Sequence, residues 1–403
     1  MMYSQPDSVK MAWEGFTYYD NWAEHIGKVD SSELARFRRC GGLVTRSAAS
    51  EAYLQSVLAA YDEVGLEYEE WDLNTLESRG FDGRSFHPAR RVDDEEFGAS
   101  SDSLCGAVFF PLCGYVSDPA LAARNVHDAA VATGRSAFAF GANVTAITRD
   151  AAGRVAGVRL ADGSSVSCPV VINAAGPGSS HVTRLAFPDE AERAREMRVD
   201  TRPFRTEVAY AKGHGARWST GGADDLVVCD LDTGVYMRPE GARGEKMLIG
   251  SVDPPCDVPH HCYPDDAESV YPGGEESPLT EQWTNQVYRA ALRLPSLPLP
   301  HASATQGFSA AYDVTPDWVP IYDHSRGLPG YFMAIGTSGN QFKCAGVAAR
   351  LMAELVEAAA TGRDLDAQPL MLPLPRIGGG HAISSATFSR LRDPLRTTGT
   401  VVG

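Results

Sequence analysis

The stretch VVINAAGPGSS, Val170 to Ser180, does most to constrain the fold. Its first residues read as a fully buried β-strand, and from Ala174 to Ser180 every side chain is small. A chain strips its side chains away where something must lie close against the backbone. A second strand ends in the same way. In GYFMAIGTSGNQFK the strand is Tyr331 to Ile335, the turn is Gly336 to Asn340, and a helix then runs to about Ala360. A helix start offers unpaired N–H groups and a partial positive charge, which suits phosphate or any oxygen that gathers negative charge. In open α/β sheets ligands bind outside the carboxyl ends of the strands. Both turns fit that rule, so one shared ligand is a candidate. The same spacing also suits ordinary tight strand-to-helix turns.

At 403 residues the chain is too long for one ordinary core, so two domains are expected. The net charge of −16 and the isoelectric point near 5.1 argue against nucleic acid and anionic membranes as partners. They leave open a small anion bound by a local Arg or Lys. No apolar run approaches the ~18–20 residues that span a bilayer. The start, MMYSQPDSVKMAWEGF, lacks a basic stretch followed by an apolar one, so the expected compartment is the cytosol. The eight cysteines have no framework spacing, and free thiols are expected. CDVPHHC, Cys256 to Cys262, offers soft ligands but neither CxxC nor HxxxH spacing, so no metal is expected.

Along the chain, the first forty residues have apolar positions at helical spacing and a Gly27 stop. SAASEAYLQSVLAAYDEVG reads as a helix with Ser47 or Ser50 as N-cap and Gly65 as its end. Asp118 caps a further helix with Pro119 at its first position and Gly134 as its stop. SAFAFGANVTAITRD, GRVAGVRLADG and SSVSCPVVINAAG form a β-meander with turns at 151–153 and 161–163. Residues 200–312 are mostly strand-like, interrupted by a helix capped at Ser277 with Pro278 at its first position. The tail after Gly378 reads as a loosely packed extension.

Several segments, in order, carry a family resemblance: FPLCGYVSDPALAARNVHDAA, VVINAAGPGSSHVTRLA, GVYMRPEGARGEKMLIGSVD, YDVTPDWVPIYD and GYFMAIGTSGNQFKCAG. They resemble the superfamily of D-amino-acid oxidase, sarcosine oxidase and dimethylglycine dehydrogenase, FAD-dependent oxidoreductases of amines. The resemblance runs from about Tyr3 to Gly362. One part of the family pattern is absent from these residues: GxGxxG after a first strand. The chain is therefore expected to begin after the first βαβ unit, through a start codon placed too late, a real truncation, or a partner subunit that supplies the unit.

The resemblance implies an α/β plus α+β fold. A Rossmann-like FAD-binding domain lacking its first βαβ unit (1–30, 117–195, 313–375) would join a mostly antiparallel-sheet substrate domain (31–116, 196–312) and a C-terminal extension (376–403). It implies FAD at Val144 and Ala174, Ala175 and Gly176 on the adenosine and diphosphate side. On the ring side it implies Gly336, Ser338, Gly339, Asn340 and Gln341. Lys343 matches a position near the flavin that favours reaction with oxygen; the alternative is an ordinary surface lysine. Tyr236 and Arg238 match the substrate-facing strand. An arginine there suits a carboxylate, while its alternative is to cap a loop or pair with Glu240. Ala310 and Ala311 stand where some relatives attach FAD through cysteine, so non-covalent FAD is expected. The implied reaction is hydride transfer from the C–H beside the nitrogen of an amino acid or N-methylated amine to flavin N5. The imine is then hydrolysed, and electrons pass to oxygen or an electron carrier. Two other readings stand beside it. One is an FAD-free homologue or non-catalytic subunit. The other is a flavin oxidoreductase acting on a non-amine metabolite of a biosynthetic pathway.

Overall fold

The computed structural model describes residues 2–27, 34–212, 226–240, 246–257, 279–299, 306–397 and 399. The N-terminal part forms helices α1 (Pro6–Asp20) and α2 (Trp22–Ile26). The helical reading of the first forty residues ends there: Gly27 takes a left-handed φ of 73°, and Phe37–Arg39 already form strand β1. Further on come β2 (Gly42–Arg46), α3 (Glu51–Val64), β3 (Glu69–Trp71), α4 (Leu73–Ser78), β4 (Gly106–Phe110) and β5 (Gly114–Val116). Helix α5 (Pro119–Ala132) starts as its sequence predicts, with Asp118 Oδ1 accepting from the Leu121 amide at 2.8 Å. The meander supplies β6 (Val144–Arg149), β7 (Val155–Leu160) and β8 (Ser165–Ser167), which pair with one another. The residues before Val144 in SAFAFGANV, expected as strand, form no strand and are exposed, although the Asn143 carbonyl accepts from the Ala161 amide at 2.8 Å.

Strand β9 (Val171–Asn173) leads through a 3₁₀ turn at Gly176–Gly178 into α6 (Ser179–Ala186), and α7 (Glu190–Glu196) follows. The remaining elements are β10 (Arg202–Lys212), β11 (Val227–Asp230), β12 (Val235–Glu240), β13 (Lys246–Ser251), α8 (Glu281–Arg293), β14 (Gln306–Val314), β15 (Ile321–His324), β16 (Tyr331–Ile335), α9 (Ala345–Ala360), β17 (Met371–Pro373) and β18 (Ala382–Ser384). Helix α8 begins at Glu281 because the Thr280 hydroxyl accepts from the Gln282 amide. Ser277, Pro278, His260, His261 and Cys262 lie outside the described residues.

Two sheets organise the molecule. The larger has eight strands in the order β14-β10-β13-β12-β11-β2-β4-β3, antiparallel except where β11 runs parallel to β2. Helix α8 lays Trp283, Val287 and Ala290 against it, beside Met237, Met247 and Ile249. The smaller sheet is β15-β16-β9, with β9 parallel to β16. Helix α9 covers one of its faces through Val347, Leu351 and Leu355. β17 and β18 form their own ribbon, as do β1 and β5.

The C-terminal segment is not a loose extension. Phe388 is fully buried and Arg390 nearly so. The Arg390 guanidinium reaches Glu196 at 3.0 Å, Asp323 at 3.0 Å and Asp366 at 2.9 Å. Arg392 pairs with Asp317 at 2.9 Å. Tail composition alone carries no trace of these partners, which lie up to 194 residues away in sequence.

Candidate active site

Strands β9 and β16 are parallel neighbours, so both small-residue turns leave the smaller sheet at the same end, beyond the carboxyl ends of the two strands. One side chain ties them together. Asp313, on β14 of the large sheet, accepts from Ser179 Oγ at 2.8 Å and from the Gly336 amide at 2.6 Å. Its carbonyl accepts from the Ser338 amide at 2.8 Å. Burial pushes the Asp313 carboxyl up to about 6, against the pull of these donors. The second turn is left-handed at Gly336, Ser338 and Gly339. At Gly339 the lack of a side chain is required by space as well, since a Cβ would come within 2.7 Å of the Tyr312 ring.

Beyond Gly339 a buried polar network fixes the next side chains. The Tyr3 hydroxyl donates to the Asn340 carbonyl at 3.0 Å, and Gln341 Nε2 donates to Asn340 Oδ1 and to Tyr3 Oη. Lys343 Nζ donates to the Asn340 carbonyl at 2.7 Å and sits 4.8 Å above the Tyr3 ring. Lys343 is half-buried rather than fully exposed. Burial lowers its pKa, with the nearby Cys344 and Cys113 thiols opposing the shift.

A cavity of about 360 Å³ opens between these elements. Gly339, Asn340 and Lys343 line it from the smaller sheet, Arg238 from the large one, and α1 closes another side with Trp13 and Phe16. Arg238 and Lys343, read separately in the sequence, thus face one cavity. Arg238 Nη1 bonds the Pro239 carbonyl and the Glu240 carboxylate, and its guanidinium stacks 5.1 Å from the Tyr115 ring. The Glu240 pairing is therefore real, and it coexists with a place in the cavity wall.

Other predicted residues stand apart from the cavity. Tyr236 shares the strand face of Arg238, yet its ring lies over Gly250, whose Cβ would come within 2.3 Å of it. Its hydroxyl pairs with Tyr312. Val144 is half-buried at the start of β6, while Ala174 and Ala175 are exposed. Gly176 is left-handed at φ 53°, with open space where a Cβ would stand. Sequence reasoning missed Tyr3, Asp313 and Tyr312. Asp313 does stand in the family-like stretch YDVTPD, and that stretch was the available signal.

A separate group, Asp323, His324 and Asp366, brings its ligand atoms within 4.8 Å of one another. Arg390 already bonds both aspartates there, which gives the cluster a structural counter-charge.

The chain belongs to the FAD dependent oxidoreductase family (DAO), whose model matches residues 2–355. Solved structures with a similar fold include L-proline dehydrogenase from P. horikoshii, at 15% identity and a TM-score of 0.64, over 90% of this chain and 80% of that one. Glycine oxidase from Geobacillus kaustophilus aligns at 18% identity and a TM-score of 0.62, over 89% and 81%. Iminodiacetate oxidase from Chelativorans sp. BNC1 aligns at 15% identity and a TM-score of 0.60, over 92% and 84%. No curated protein sequence matches. The protein is accordingly an FAD-dependent oxidoreductase with a Rossmann-like cofactor-binding fold. No described helix is long and apolar enough to cross a membrane.

The residues present would suit the ring end of that cofactor: a cavity with apolar walls, a 3₁₀ turn leading into α9, and the half-buried cation Lys343. At the other turn, the open space before Gly176 leaves the backbone accessible to a ligand.

Proposed function

We propose that this protein oxidises the C–N bond of an amino acid or N-methylated amino acid. The observation that supports it is the convergence of Arg238 and Lys343 on one cavity. FAD, held without a covalent link because Ala310 and Ala311 offer no thiol, would accept the hydride from the C–H beside the nitrogen; the resulting imine is hydrolysed by water.

The chain's own work is binding, orientation and charge. Arg238 presents a planar donor to the substrate carboxylate. Glu240 and the Tyr115 ring hold the guanidinium in place, so little freedom is lost on binding. The apolar walls exclude water and strengthen that interaction. Lys343, fixed by the Asn340 carbonyl and the Tyr3 ring, is a positioned cation for charge that develops at the ring end. Asp313 holds the two turns at a fixed separation and so positions both ends of the cofactor site. Oxygen or a carrier protein would then take the electrons.

The experiment compares an N-methyl amino acid with the matching amine that lacks a carboxylate. Arg238→Ala should raise the apparent KM for the acid by about thirtyfold or more, and spare the amine. Arg238→Lys keeps the charge but not the fork, and should fall between. Equal losses on both substrates would assign Arg238 to structure and remove the amino-acid reading.

A further inference from the structure

We propose that Tyr3 is a positioning residue for Lys343, setting where its ammonium stands in the cavity. The inference rests on the reading of Lys343 as the cation at the ring end of the cofactor. A lysine carries a point charge on a flexible four-carbon stem, so its place depends on what surrounds it. Tyr3 acts on that charge in two ways. Lys343 Nζ stands 4.8 Å over the Tyr3 ring, whose face attracts a cation. The ammonium also donates at 2.7 Å to the Asn340 carbonyl, and the same carbonyl accepts from the Tyr3 hydroxyl at 3.0 Å. Its two lone pairs serve both donors.

Tyr3 is itself held. It is 8% exposed, and its hydroxyl accepts from Gln341 Nε2 at 3.1 Å, while Gln341 Oε1 accepts from the Tyr322 hydroxyl at 3.3 Å. Burial raises the Tyr3 pKa well above its ordinary value, so the hydroxyl stays a neutral donor. The backbone that carries Lys343 has a separate support. The Tyr19 hydroxyl donates to the Phe342 carbonyl at 2.8 Å. Gly15 of α1 packs so closely that a Cβ there would come within 2.1 Å of the Lys343 carbonyl oxygen. Loss of the Tyr3 side chain should therefore free the ammonium more than the turn beneath it.

Two measurements test this. The chain has five lysines, so protein isotopically labelled at lysine Cε gives few signals, and the Lys343 resonance is the one absent from Lys343→Met. Its relaxation should report a rigid side chain in the parent and a slightly looser one in Tyr3→Phe, which keeps the ring. In Tyr3→Leu it should approach the mobility of the exposed Lys212. The second measurement is the flavin midpoint potential of the loaded protein. A positioned cation favours the reduced, negatively charged flavin, so Lys343→Met should lower the potential by about 30 mV, a tenfold loss for a two-electron couple. Tyr3→Leu should cost about threefold, half that shift, and Tyr3→Phe less. Neither should add to Lys343→Met. A Lys343 side chain that stays rigid in Tyr3→Leu, or a Tyr3→Leu shift that persists undiminished beside Lys343→Met, would overturn the inference. If the side chain loosens while Lys343→Met leaves the potential unchanged, the ring-end reading of Lys343 falls and its placement by Tyr3 stands.

Discussion

The two sheets solve the problem of burial differently. The eight-stranded sheet is closed over by α8, and two ion pairs between them and the neighbouring loop are wholly internal. Arg293 meets Asp230 at 2.6 Å and Arg289 meets Asp257 at 2.7 Å, with these four side chains at most 1% exposed. The three-stranded sheet is covered on its faces but has an open edge. Strand β9, expected from its sequence to be fully buried, has no strand beside it but β16 among the described residues, and Ile172 on it is 46% exposed because that edge is open. Among the described residues, six of the nine exposed large hydrophobics fall between Val126 and Ile172, including Phe138 and Phe140, whose rings stack 6.1 Å apart. Parallel strands are normally buried on all sides. An exposed apolar surface beside a strand edge is adhesive. The large sheet thus acts as rigid scaffold for Arg238. The small one trades closure for accessible turns.

That contrast can be broken most forcefully at Arg293. Arg293→Ala leaves Asp230 buried and uncompensated, at a cost of ~3–5 kcal/mol by denaturant unfolding. Phe140→Ser, its counterpart on the open side, should stay within ~0.5 kcal/mol. Similar losses at the two positions would erase the distinction between the sheets.

A smaller effect is expected at Asp313, the link between the sheets. Its folded pKa, about 6, lies above the usual carboxylate value. Its stabilising contribution is therefore complete below about pH 4 and is lost as pH rises through 6. The amount is about 3 kcal/mol. Asp232, also raised to about 6 by burial and by Asp230, acts in the same direction. The test is the stability of Asp313→Asn followed from pH 4 to 7. It should decline less with pH than the parent; parallel curves would remove Asp313 from the titration.

The mildest change is kinetic. In a parent that consumes oxygen, Lys343→Met should slow reoxidation ten- to a hundredfold, equivalent to ~1.4–3 kcal/mol in the barrier. Reduction by substrate should change less. An unaltered stopped-flow reoxidation rate would show that the ring end of the site does not depend on this cation.

Local chemistry explains what could be read without a structure. The Asp118–Pro119 helix start, the Gly27 and Gly65 stops and the two strand-to-small-residue turns all depend on neighbours within a few residues. Backbone conformation there is set by side-chain size and by one nearby donor or acceptor. Arg238 and Lys343 were visible as residues in family-like stretches. Their meeting in one cavity was not, because β12 and the turn after β16 lie about a hundred residues apart.

The sequence by itself determined the flavoprotein class, the turns and the candidate cation and carboxylate partner. Only the tertiary structure decided that Asp313 joins the turns, that Tyr3 anchors Asn340 from 337 residues away, and that Arg390 draws the tail into the core. It also separated Tyr236 from the cavity although it shares a strand face with Arg238. The physical reason is one of range. Turn and cap preferences are energies of adjacent residues, whereas a buried hydrogen bond or ion pair requires partners whose approach depends on the packing of the whole fold.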